Sequence, residues 1–465
     1  MQLENPNSLP RHAPNSTEAR DIEYLLHPVT NAKAHRTTGP IIMERGEGVR
    51  ITDTSGKTYI EAMAGLWSVG VGFSEKRLAD AAYAQMLKLP YSQIFSHRSH
   101  GPAVDLAEKL VTMAPGNMSK AFFTSSGSEA NDTALKFLWY RSNALGQPQK
   151  KKIISRNRAY HGITIAATSL TGIAANHNSF DLIVPDMIRL TCPHHYREAQ
   201  EGESEDAFAT RLAEELEGEI LKAGPETVCA MIAEPVMGAG GVVVPPETYW
   251  PKIQEVLRKY DILLVADEVI TGFGRTGQMF ACDTYGITPD IIVLSKQISS
   301  SYLPISAILM NDRVLDPIIE QSDRVGVLAH GYTAAAHPVC AAVALENIVI
   351  IEERDLVANA AEVGSYMIEG LRALADHPLV GEVRGIGMIA ALELVTNKAA
   401  RTALEKPGQL GAKVQAKLME HGVISRAVVD AQCFCPPMIM TRADVDDMMV
   451  RVRRALDDVA ADVLA

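Results

Sequence analysis

The fold is decided by one stretch of sequence, Asp290–Ala307, which reads DIIVLSKQISSSYLPISA. Its apolar residues 291–294 predict a buried strand, and Lys296 follows two residues after the run ends. A lysine is rarely buried without a partner, because its charged amine loses its hydration. The position therefore predicts either a side chain that reaches water or a site whose chemistry requires an amine.

Composition and charge restrict the kind of protein. The chain has 465 residues, and this length predicts two or three domains. Its net charge of -12 argues against nucleic acid and against anionic membrane surfaces as partners. Six scattered cysteines, a polar N-terminus without a secretory signal and no apolar run of about 20 residues predict a soluble, cytoplasmic protein. Cys192, His194 and His195 in TCPHHY are interpreted as loop residues, and no metal is predicted.

Short apolar runs alternate with helical patterns from about residue 78 onward. This alternation predicts an α/β fold in which helices cover a mostly parallel sheet. About the first 35 residues are rich in Pro, Asn and His and predict an arm or a poorly ordered segment, while residues 41–62 predict short strands. The strand candidates are AFFTS, KKIISR, VCAMIAEP, ILLVADEV and IIVLSK, and the helix candidates are SEANDTALKFLWYRSNAL and TYWPKIQEVLRKY.

The character of the sequence changes after Cys340. A long helix there leads to LVGEVRGIGMIAALELV, which predicts two strands joined by a glycine bend, and the last helix opens with Thr441 and Asp444 as a cap pair. We interpret this tail as a smaller α+β domain. The predicted organisation is an arm with part of the small domain in residues 1–75, a large domain in 76–340 and the C-terminal small domain in 341–465.

Three predicted strands end in residues with ionisable side chains. Asp267 follows ILLVA, Lys296 follows IIVLS and Glu234 follows CAMIA. The carboxyl ends of parallel strands share one edge of a sheet, where ligands bind, so we expect these side chains to face one crevice. A carboxylate beside a lysine also keeps the lysine charged, and a buried ion pair between Asp267 and Lys296 is therefore the alternative.

The segment AFFTSSGSEANDTALKF carries a second signal. A strand breaks at residues 125–128 and a helix begins at once. Small residues at a helix N-terminus offer backbone N–H groups and hydroxyls to an anion, which predicts a phosphate seat without the lysine of a P-loop. Taken alone, the same residues also suit an ordinary helix cap.

A phosphate seat, an acid and a lysine together suit pyridoxal 5'-phosphate. The lysine amine forms a Schiff base with the cofactor aldehyde, and the acid keeps the pyridine nitrogen protonated, which makes the ring an electron sink. Tyr160 and His161 follow the strand KKIISR and are placed to supply an aromatic face for the ring. A loop tyrosine without such a role is the alternative at Tyr160.

The motifs of the chain resemble those of the class III aminotransferases of the ω-amine:pyruvate group, which are pyridoxal-phosphate enzymes of fold type I. The matching segments, in family order, are MAGLWSVGVGF, FFTSSGSEANDT, AYHGIT, EPVMGAGGVVVPPETYW, LLVADEVITGFGRTG, SKQISSSYLPISA, HGYT followed by HPV, VRGIGMIAALEL and CPPMIMT. The resemblance implies a cofactor bound in the large domain. It also implies a transaminase that moves an amino group from a primary amine to a keto acid such as pyruvate, by a ping-pong mechanism through a Schiff base on Lys296.

The resemblance further implies a role for each matching residue. Lys296 is implied as the Schiff-base lysine and proton carrier, and Asp267 as the partner of the pyridine nitrogen. Val269 and Tyr160 are implied on opposite faces of the ring. His161, next to Tyr160, and Glu234 are implied near the cofactor. The phosphate is implied to contact Ser126, Gly127 and Ser128. Thr333 is implied to reach the phosphate of the cofactor in a neighbouring subunit.

Substrate contacts and assembly follow from the same resemblance. Trp67 and Tyr332 are implied in the substrate pocket, and Arg426 as the arginine that clamps an acceptor carboxylate. Sites shared between chains imply a homodimer, with a tetramer left open. Core packing is the alternative for Trp67, and an ion pair with Asp430 is the alternative for Arg426.

Three stretches of the sequence depart from the commoner family pattern. Ser68-Val69-Gly70 stands where Cys-Val-Asn is frequent, Gln297 stands where glycine is common, and residues 334–338 lack the usual Gly-His-Pro. Smaller side chains near the pocket are compatible with bulkier amines. The form SKQISSSYLPIS also resembles aminotransferases of long-chain amino-polyols such as hydrolysed fumonisin, which is a lead on the donor.

Other functions remain open from the sequence. GFGRTG at 272–277 fits the dinucleotide fingerprint G-x-G-x-x-G, but Asp267 and Glu268 stand between the strand and the glycines. The fingerprint also requires an acid at the end of the next strand, but the downstream acid here, Asp290, precedes its strand. A racemase or decarboxylase on the same scaffold and a cofactor-binding protein without activity are the further alternatives.

Overall fold

The computed structural model describes residues 13–182 and 187–464. The helices are α1 Thr17–Tyr24, α2 Ala32–Thr38, α3 Ala64–Trp67, α4 Lys76–Lys88, α5 Gly101–Met113, α6 Gly127–Ala144, α7 Ile165–Leu170, α8 His195–Glu198, α9 Glu205–Ala223, α10 Tyr249–Lys259, α11 Ala281–Tyr285, α12 Asp312–Val325, α13 Pro338–Glu353, α14 Leu356–Arg372, α15 Gln409–Glu420 and α16 Arg442–Val463. The strands are β1 Met43–Glu47, β2 Arg50–Asp53, β3 Thr58–Glu61, β4 Met118–Thr124, β5 Lys152–Arg156, β6 Met187–Leu190, β7 Val228–Ala233, β8 Leu263–Asp267, β9 Ile291–Leu294, β10 Ser306–Asn311, β11 Val380–Ile386, β12 Ile389–Leu394, β13 Val423–Ile424, β14 Arg426–Val428 and β15 Ala431–Phe434. Short 3-10 turns occur at Ala174–Asn176, Pro225–Thr227 and Lys296–Ile298.

Across the described ranges, the helices lack the combination of length and apolar composition that a membrane span requires.

Strands β4 to β10 form one seven-stranded sheet in the order β4-β10-β9-β8-β7-β5-β6. Strands β5 to β9 pair in parallel, whereas β10 is antiparallel to both of its neighbours, β9 and β4. All but one of these strands therefore run in the same direction. The predicted α/β fold with a mostly parallel sheet is confirmed, and β6 and β10 are additions to the five predicted strands.

The strand β9 buries side chains on both faces of the sheet, which explains its unbroken apolar run. Ile291 and Val293 belong to the apolar cluster that includes the α6 side chains. Ile292 and Leu294 belong to the cluster on the α10 side. Successive side chains of β8 also alternate between the two faces of the sheet. Asp267 therefore points toward α6, whose residue Asn131 donates a hydrogen bond to it.

Two four-stranded sheets complete the structure, in the orders β1-β2-β3-β13 and β11-β12-β15-β14. Strand β13 pairs in parallel with β3, so that Val423 lies opposite Ile60. Strands β11 and β12 form the predicted antiparallel pair around a glycine bend. N-terminal strands thus share a sheet with the C-terminal part of the chain. The division into residues 1–75, 76–340 and 341–465 stays a prediction.

The last helix, α16, begins as the sequence predicts. The Thr441 hydroxyl accepts from the Asp444 N–H at 3.2 Å, and the Asp444 carboxylate accepts from the Thr441 N–H at 3.1 Å. These reciprocal bonds form a capping box, because each side chain satisfies a backbone group that the helix leaves free. The apolar residues at 3–4 spacing along the helix are buried at Val445, Met448, Val452, Leu456 and Val459, and Met449 among them is half-buried.

From Ala13 onward, the predicted N-terminal arm contains two short helices, α1 and α2, and this part is more regular than its composition predicts. Residues 1–12 of the predicted arm lie outside the described residues. Asp21 Oδ1 lies 2.9 Å from His27 Nε2 and 3.0 Å from His35 Nε2, and the two imidazole centroids are 4.1 Å apart. These three side chains fold the arm back on itself.

Glu61, the last residue of β3, makes the stability of the fold depend on pH. Its side chain is 4% exposed, and burial raises its pKa from 4.5 to about 7. Between these values the folded protein keeps a proton that the unfolded chain has lost. Rising pH through this window therefore lowers the free energy of unfolding, by up to about 3 kcal/mol. We expect Glu61→Gln to be more stable than the wild type near pH 8 and equal to it near pH 4.5, in denaturant titrations across this range.

The matched control for this prediction is Glu44→Gln, because Glu44 is an exposed carboxylate on a strand of the same sheet. This control should follow the pH dependence of the wild type. If the free energy of unfolding of Glu61→Gln also followed the pH dependence of the wild type, burial of the Glu61 carboxyl would not be the cause of that dependence.

Candidate active site

Segments that follow four strands of the large sheet meet at one edge. Residues 125–128 follow β4 and Glu234 follows β7, while Asp267 ends β8 and Lys296 follows β9. Strands β7, β8 and β9 are parallel neighbours, and β4 runs in the same direction on the far side of β10. Their carboxyl ends therefore form the edge at which ligands bind in sheets of this kind.

The buried carboxylate of Asp267 is held by three donors. Its Oδ2 accepts from His161 Nδ1 at 2.7 Å and from Asn131 Nδ2 at 3.0 Å. Its Oδ1 accepts from the Val269 N–H at 3.1 Å. No ion pair joins Asp267 to Lys296 in the described ranges, so the predicted alternative of a buried ion pair is wrong. Sequence reasoning missed Asn131, whose place one turn into α6 from the phosphate seat is the available signal.

Lys296 opens a 3-10 turn with a backbone φ of +44°, a left-handed conformation that residues other than glycine rarely adopt. Loss of hydration lowers the pKa of its amine, while the negative charges of Asp267 and Glu234 act in the opposite direction. A lysine whose pKa is lowered supplies the neutral amine that a nucleophile or a base requires.

Ser126, Gly127 and Ser128 form the start of helix α6. Ser126 caps the helix by accepting a first-turn N–H at 3.2 Å, and the first backbone N–H groups have no partner within the helix. A Cβ atom on Gly127 would lie 3.3 Å from Val269 Cγ2 and 3.5 Å from Ser295 Cβ. The helix start is thus packed against the segments that follow β8 and β9.

The loop that carries Tyr160 and His161 is fixed from two sides. The Glu234 carboxylate accepts from the Tyr160 N–H at 3.1 Å and from the Gly238 N–H at 2.9 Å. Burial raises the pKa of both the Glu234 carboxyl and the Tyr160 hydroxyl. The Nε2 atom of His161 is buried and lacks a hydrogen-bond partner among the described residues. Glu234 acts on the site through this loop.

Trp67 is 1% exposed and belongs to an apolar cluster with Met63, Ile270 and Cys435. Its backbone φ is +65°, which is strained for a bulky side chain and is more frequent at functional sites than elsewhere. The burial agrees with the core-packing alternative in the single chain. A substrate contact by Trp67 stays a prediction.

Tyr332 and Thr333 do not contact the strand-end side chains in the described chain. The Tyr332 hydroxyl lies 3.1 Å from Thr133 Oγ1 on α6. Thr333 is exposed, and its carbonyl accepts from the Tyr91 hydroxyl at 2.7 Å. Their implied roles toward cofactor and substrate stay predictions.

Arg426 is the first residue of β14. Within residues 13–182 and 187–464 its guanidinium forms no ion pair, and Asp430, the alternative partner, accepts from two backbone N–H groups at 2.9 Å instead. The positive charge of Arg426 acts on the pKa of both Tyr160 and Lys296. The guanidinium therefore lies in the neighbourhood of these two side chains.

Two other motifs lie outside this arrangement. Residues 272–277, GFGRTG, form turns and do not open a helix, since α11 begins only at Ala281. The dinucleotide fingerprint requires a helix directly after the glycines, so the dehydrogenase alternative is wrong. His194 of TCPHHY lies 2.9 Å from Glu382, whose carboxylate also pairs with Arg384 at 2.6 Å.

The hydroxyls in SSSY, 299–302, hold the backbone of a neighbouring segment. Ser300 Oγ accepts from the Gly70 N–H at 3.2 Å, and the Tyr302 hydroxyl donates to the Gly72 carbonyl at 2.8 Å. These contacts give the two hydroxyls a structural role. They therefore do not support the amino-polyol donor suggested by this part of the sequence.

The residues at the sheet edge fit pyridoxal 5'-phosphate. Free N–H groups at the start of α6 suit a phosphate, and the absence of a Cβ at Gly127 leaves space beside Val269. Asp267 is oriented by its donors and retains acceptor capacity for a ring N–H. Lys296 supplies the amine. The donor set thus matches the phosphate, the ring nitrogen and the aldehyde of this group.

Comparisons with known sequences give the following matches. A sequence model of the family described as Aminotransferase class-III matches residues 30–456. Gamma aminobutyrate transaminase 3, chloroplastic, of Solanum lycopersicum is 44% identical over 435 residues, which are 93% of this chain and 84% of the relative. Probable gamma-aminobutyrate transaminase 3, mitochondrial, of Oryza sativa subsp. japonica is 45% identical over 433 residues, 93% of this chain and 85% of the relative.

Solved structures match over nearly the whole chain. The omega transaminase from Pseudomonas jessenii in complex with PMP superposes with a TM-score of 0.95 at 57% identity, and the match covers 96% of this chain and 99% of that chain. A structure described as a transaminase with L-ala gives a TM-score of 0.90 at 63% identity, over 91% of this chain and 100% of that chain.

Proposed function

Because the chain is a member of the class III aminotransferases, pyridoxal 5'-phosphate enzymes of fold type I, we propose that it moves an amino group from a primary amine to a keto acid such as pyruvate. The observation that carries the proposal is the meeting of Lys296, Asp267 and the start of α6 at one sheet edge. One site serves both substrates in turn, so the reaction is of the ping-pong type.

The chain's own residues hold the cofactor in this proposal. The bound cofactor supplies an electron sink and the carbon that accepts and releases the amino group. Lys296 holds the aldehyde through its amine, Asp267 holds a proton on the ring nitrogen, and the helix start at 126–128 binds the phosphate. Val269 and Tyr160 border the two faces of the ring.

Lys296 also moves the proton that the transfer requires. With the cofactor bound, the Nζ atom would carry a proton between the substrate carbon and the cofactor. Burial lowers the pKa of this amine, which favours the neutral form that the role requires. Asn131 and His161 keep the Asp267 carboxylate in position during this exchange.

The experiment that tests the function is a panel of amine donors with pyruvate, in which the alanine formed is measured. The donors include amines without a carboxylate, a long-chain amino-polyol and 4-aminobutyrate, the compound in the names of the curated relatives. The similar structure with L-ala supports pyruvate as acceptor. Failure of every donor to yield alanine in the cofactor-loaded enzyme would contradict the proposal.

The same enzyme preparation separates the transaminase from its rivals. A racemase would exchange the substrate's α-hydrogen repeatedly without any amino acceptor. A decarboxylase would release carbon dioxide repeatedly under the same condition. A transaminase completes only one half-reaction under that condition. An inactive scaffold would bind the cofactor and show neither.

Arg426 gives a prediction about substrate selection. Arg426→Ala should raise the KM for pyruvate by about 10- to 100-fold, because a bidentate, charge-assisted bond to the carboxylate is lost. The KM for an amine without a carboxylate should stay within about threefold. Steady-state kinetics with both substrates varied measure the two constants.

Two variants sharpen this test. Arg426→Lys keeps the charge but loses the planar fork and should fall between wild type and alanine. Arg442→Ala removes a surface arginine that pairs with Glu362 and should change neither constant. Equal losses for pyruvate and the uncharged amine in Arg426→Ala would mean that Arg426 acts on the fold and not on the carboxylate.

The assembly we propose is a homodimer in the cytoplasm, with a tetramer as a further state. Thr333 is exposed, as a residue that reaches a second copy must be. Apolar side chains on and after α4 are also exposed, among them Tyr83, Leu87 and Phe95, and a second chain would cover them. Sedimentation of the full chain should give a mass of at least twice 50.4 kDa. A monomer with full activity would contradict the shared site.

A further inference from the structure

Gln297 follows Lys296 directly and is 0% exposed. Its Oε1 accepts from Arg275 Nη2 at 2.6 Å, and its Nε2 donates to the Phe273 carbonyl. Its own carbonyl accepts from Asn347 Nδ2 at 2.8 Å. The residue next to the lysine is therefore fixed through both its side chain and its backbone.

Arg275 is a buried cation that has no carboxylate partner in the described ranges. Its Nη1 donates to the Pro436 carbonyl, its Nη2 donates to Gln297, and its Nε lacks a partner. An unpaired buried charge is costly unless hydrogen bonds replace its hydration. The carboxamide of Gln297 supplies one of the few oxygens that do so.

Gly70 makes the space for this carboxamide. A Cβ atom at position 70 would lie 2.6 Å from Gln297 Cδ and 2.7 Å from its Oε1. The φ of Gly70 is not positive, so the glycine is required by space and not by backbone conformation. Its N–H donates to Ser300 Oγ at 3.2 Å and its carbonyl accepts from the Met438 N–H at 2.8 Å, which prevents its backbone from moving away.

We propose that Gln297 is a positioning residue for Lys296 and that Gly70 is its necessary partner. The carboxamide ties the turn that holds Lys296 in its left-handed conformation to the buried Arg275. It thereby fixes the direction from which the Nζ atom approaches the cofactor and the substrate carbon. This inference rests on the role proposed for Lys296.

The side chains of the two positions compete for one space. A Cβ at 70 would lie 2.7 Å from the Gln297 oxygen, so we expect an asparagine there, combined with glycine at 297, to offer a carboxamide close to the same place.

A double-mutant cycle tests the pair. The variants are Gln297→Gly, Gly70→Asn and the double variant, each measured with and without cofactor. The readouts are kcat, the rate at which apoenzyme links pyridoxal 5'-phosphate to Lys296, and the pH titration of the visible absorption of the linked cofactor. Each single change should slow kcat and linkage by about 10- to 100-fold, because the lysine is displaced. The double variant should return to within about threefold of the wild type in both rates.

Gln297→Met provides the measurement if a single variant fails to fold. It keeps the length of the side chain but offers no amide, and it should slow linkage as Gln297→Gly does. Gln85→Met is the matched control, since Gln85 is a buried glutamine on α4 whose amide donates to the Leu89 carbonyl at 3.0 Å. It should lower the unfolding temperature without changing the linkage rate or the pH titration.

Two results would overturn the proposal. One is a double variant no better than the worse single variant. The other is a Gln297→Met enzyme that loses stability while its linkage rate and titration equal those of the wild type, which is the behaviour of a purely structural residue. Failure of the proposed function is separate, because it would appear as absence of alanine formation in the wild type.

Discussion

Replacing Lys296 by alanine is expected to lower turnover by about 10³- to 10⁶-fold with every donor. The lysine amine is proposed both to hold the cofactor and to carry the proton, and a methyl group does neither. The phosphate seat and Asp267 remain in place, so cofactor should still bind without a covalent link. Steady-state rates measure the first effect, and borohydride reduction followed by mass analysis of the chain measures the second.

The control for this variant is Lys120→Ala, which removes an exposed lysine from β4 of the same sheet. It should leave turnover and borohydride labelling unchanged. Turnover above about 1% of the wild type in Lys296→Ala would rule out the assignment of Lys296 as the essential amine.

Replacing Asp267 by asparagine should lower kcat by about 10²- to 10³-fold, the scale seen when one fixed electrostatic contact is lost at a reacting centre. The substitution keeps the size of the side chain and an oxygen for the donors, but it removes the negative charge that keeps the ring nitrogen protonated. Binding of cofactor should weaken far less than kcat falls, because the phosphate seat and Lys296 are unchanged. Single-turnover rates with saturating cofactor separate the two effects.

Two comparisons isolate the charge of Asp267. Asn131→Ala removes a neutral donor to the same carboxylate and should cost less than the loss of the charge. Asp323→Asn neutralises an exposed acid on α12 and should have no effect. An Asp267→Asn enzyme within threefold of the wild type would show that the carboxylate is not needed to hold the ring proton.

Much of the large sheet could be predicted, because its parallel strands are buried on both faces and therefore stand out as apolar runs. The direction of β10 could not be predicted from such a run, since apolar character is the same for either direction. Its direction is set by the link 295–305, which contains only a 3-10 turn. A parallel connection needs a crossover of about a dozen residues or more, so the chain turns back beside β9. In the N-terminal arm, the contacts of Asp21 with His27 and His35 could not be predicted, because they join side chains 6 and 14 residues apart.

The site residues that could be predicted are those whose backbone position alone places them. Asp267 ends a strand, Lys296 follows one, and residues 126–128 start a helix. Asn131 and the Gln297 contact with Arg275 could not be predicted, because they depend on tertiary packing. The Asn131 bond to Asp267 spans 136 residues of sequence. Local patterns do not determine which side chains meet over such a distance.

The pairing of β13 with β3 has a consequence for how the chain is made. Ile60 leaves the ribosome long before its partner Val423, and at 5–20 residues per second the delay is roughly 20 to 70 s. During this interval one edge of β3 lacks its native neighbour and exposes unpaired backbone groups, the condition that promotes misassociation of nascent chains. Completion of this sheet is therefore a late event in biosynthesis, after the cofactor-binding strands have all emerged.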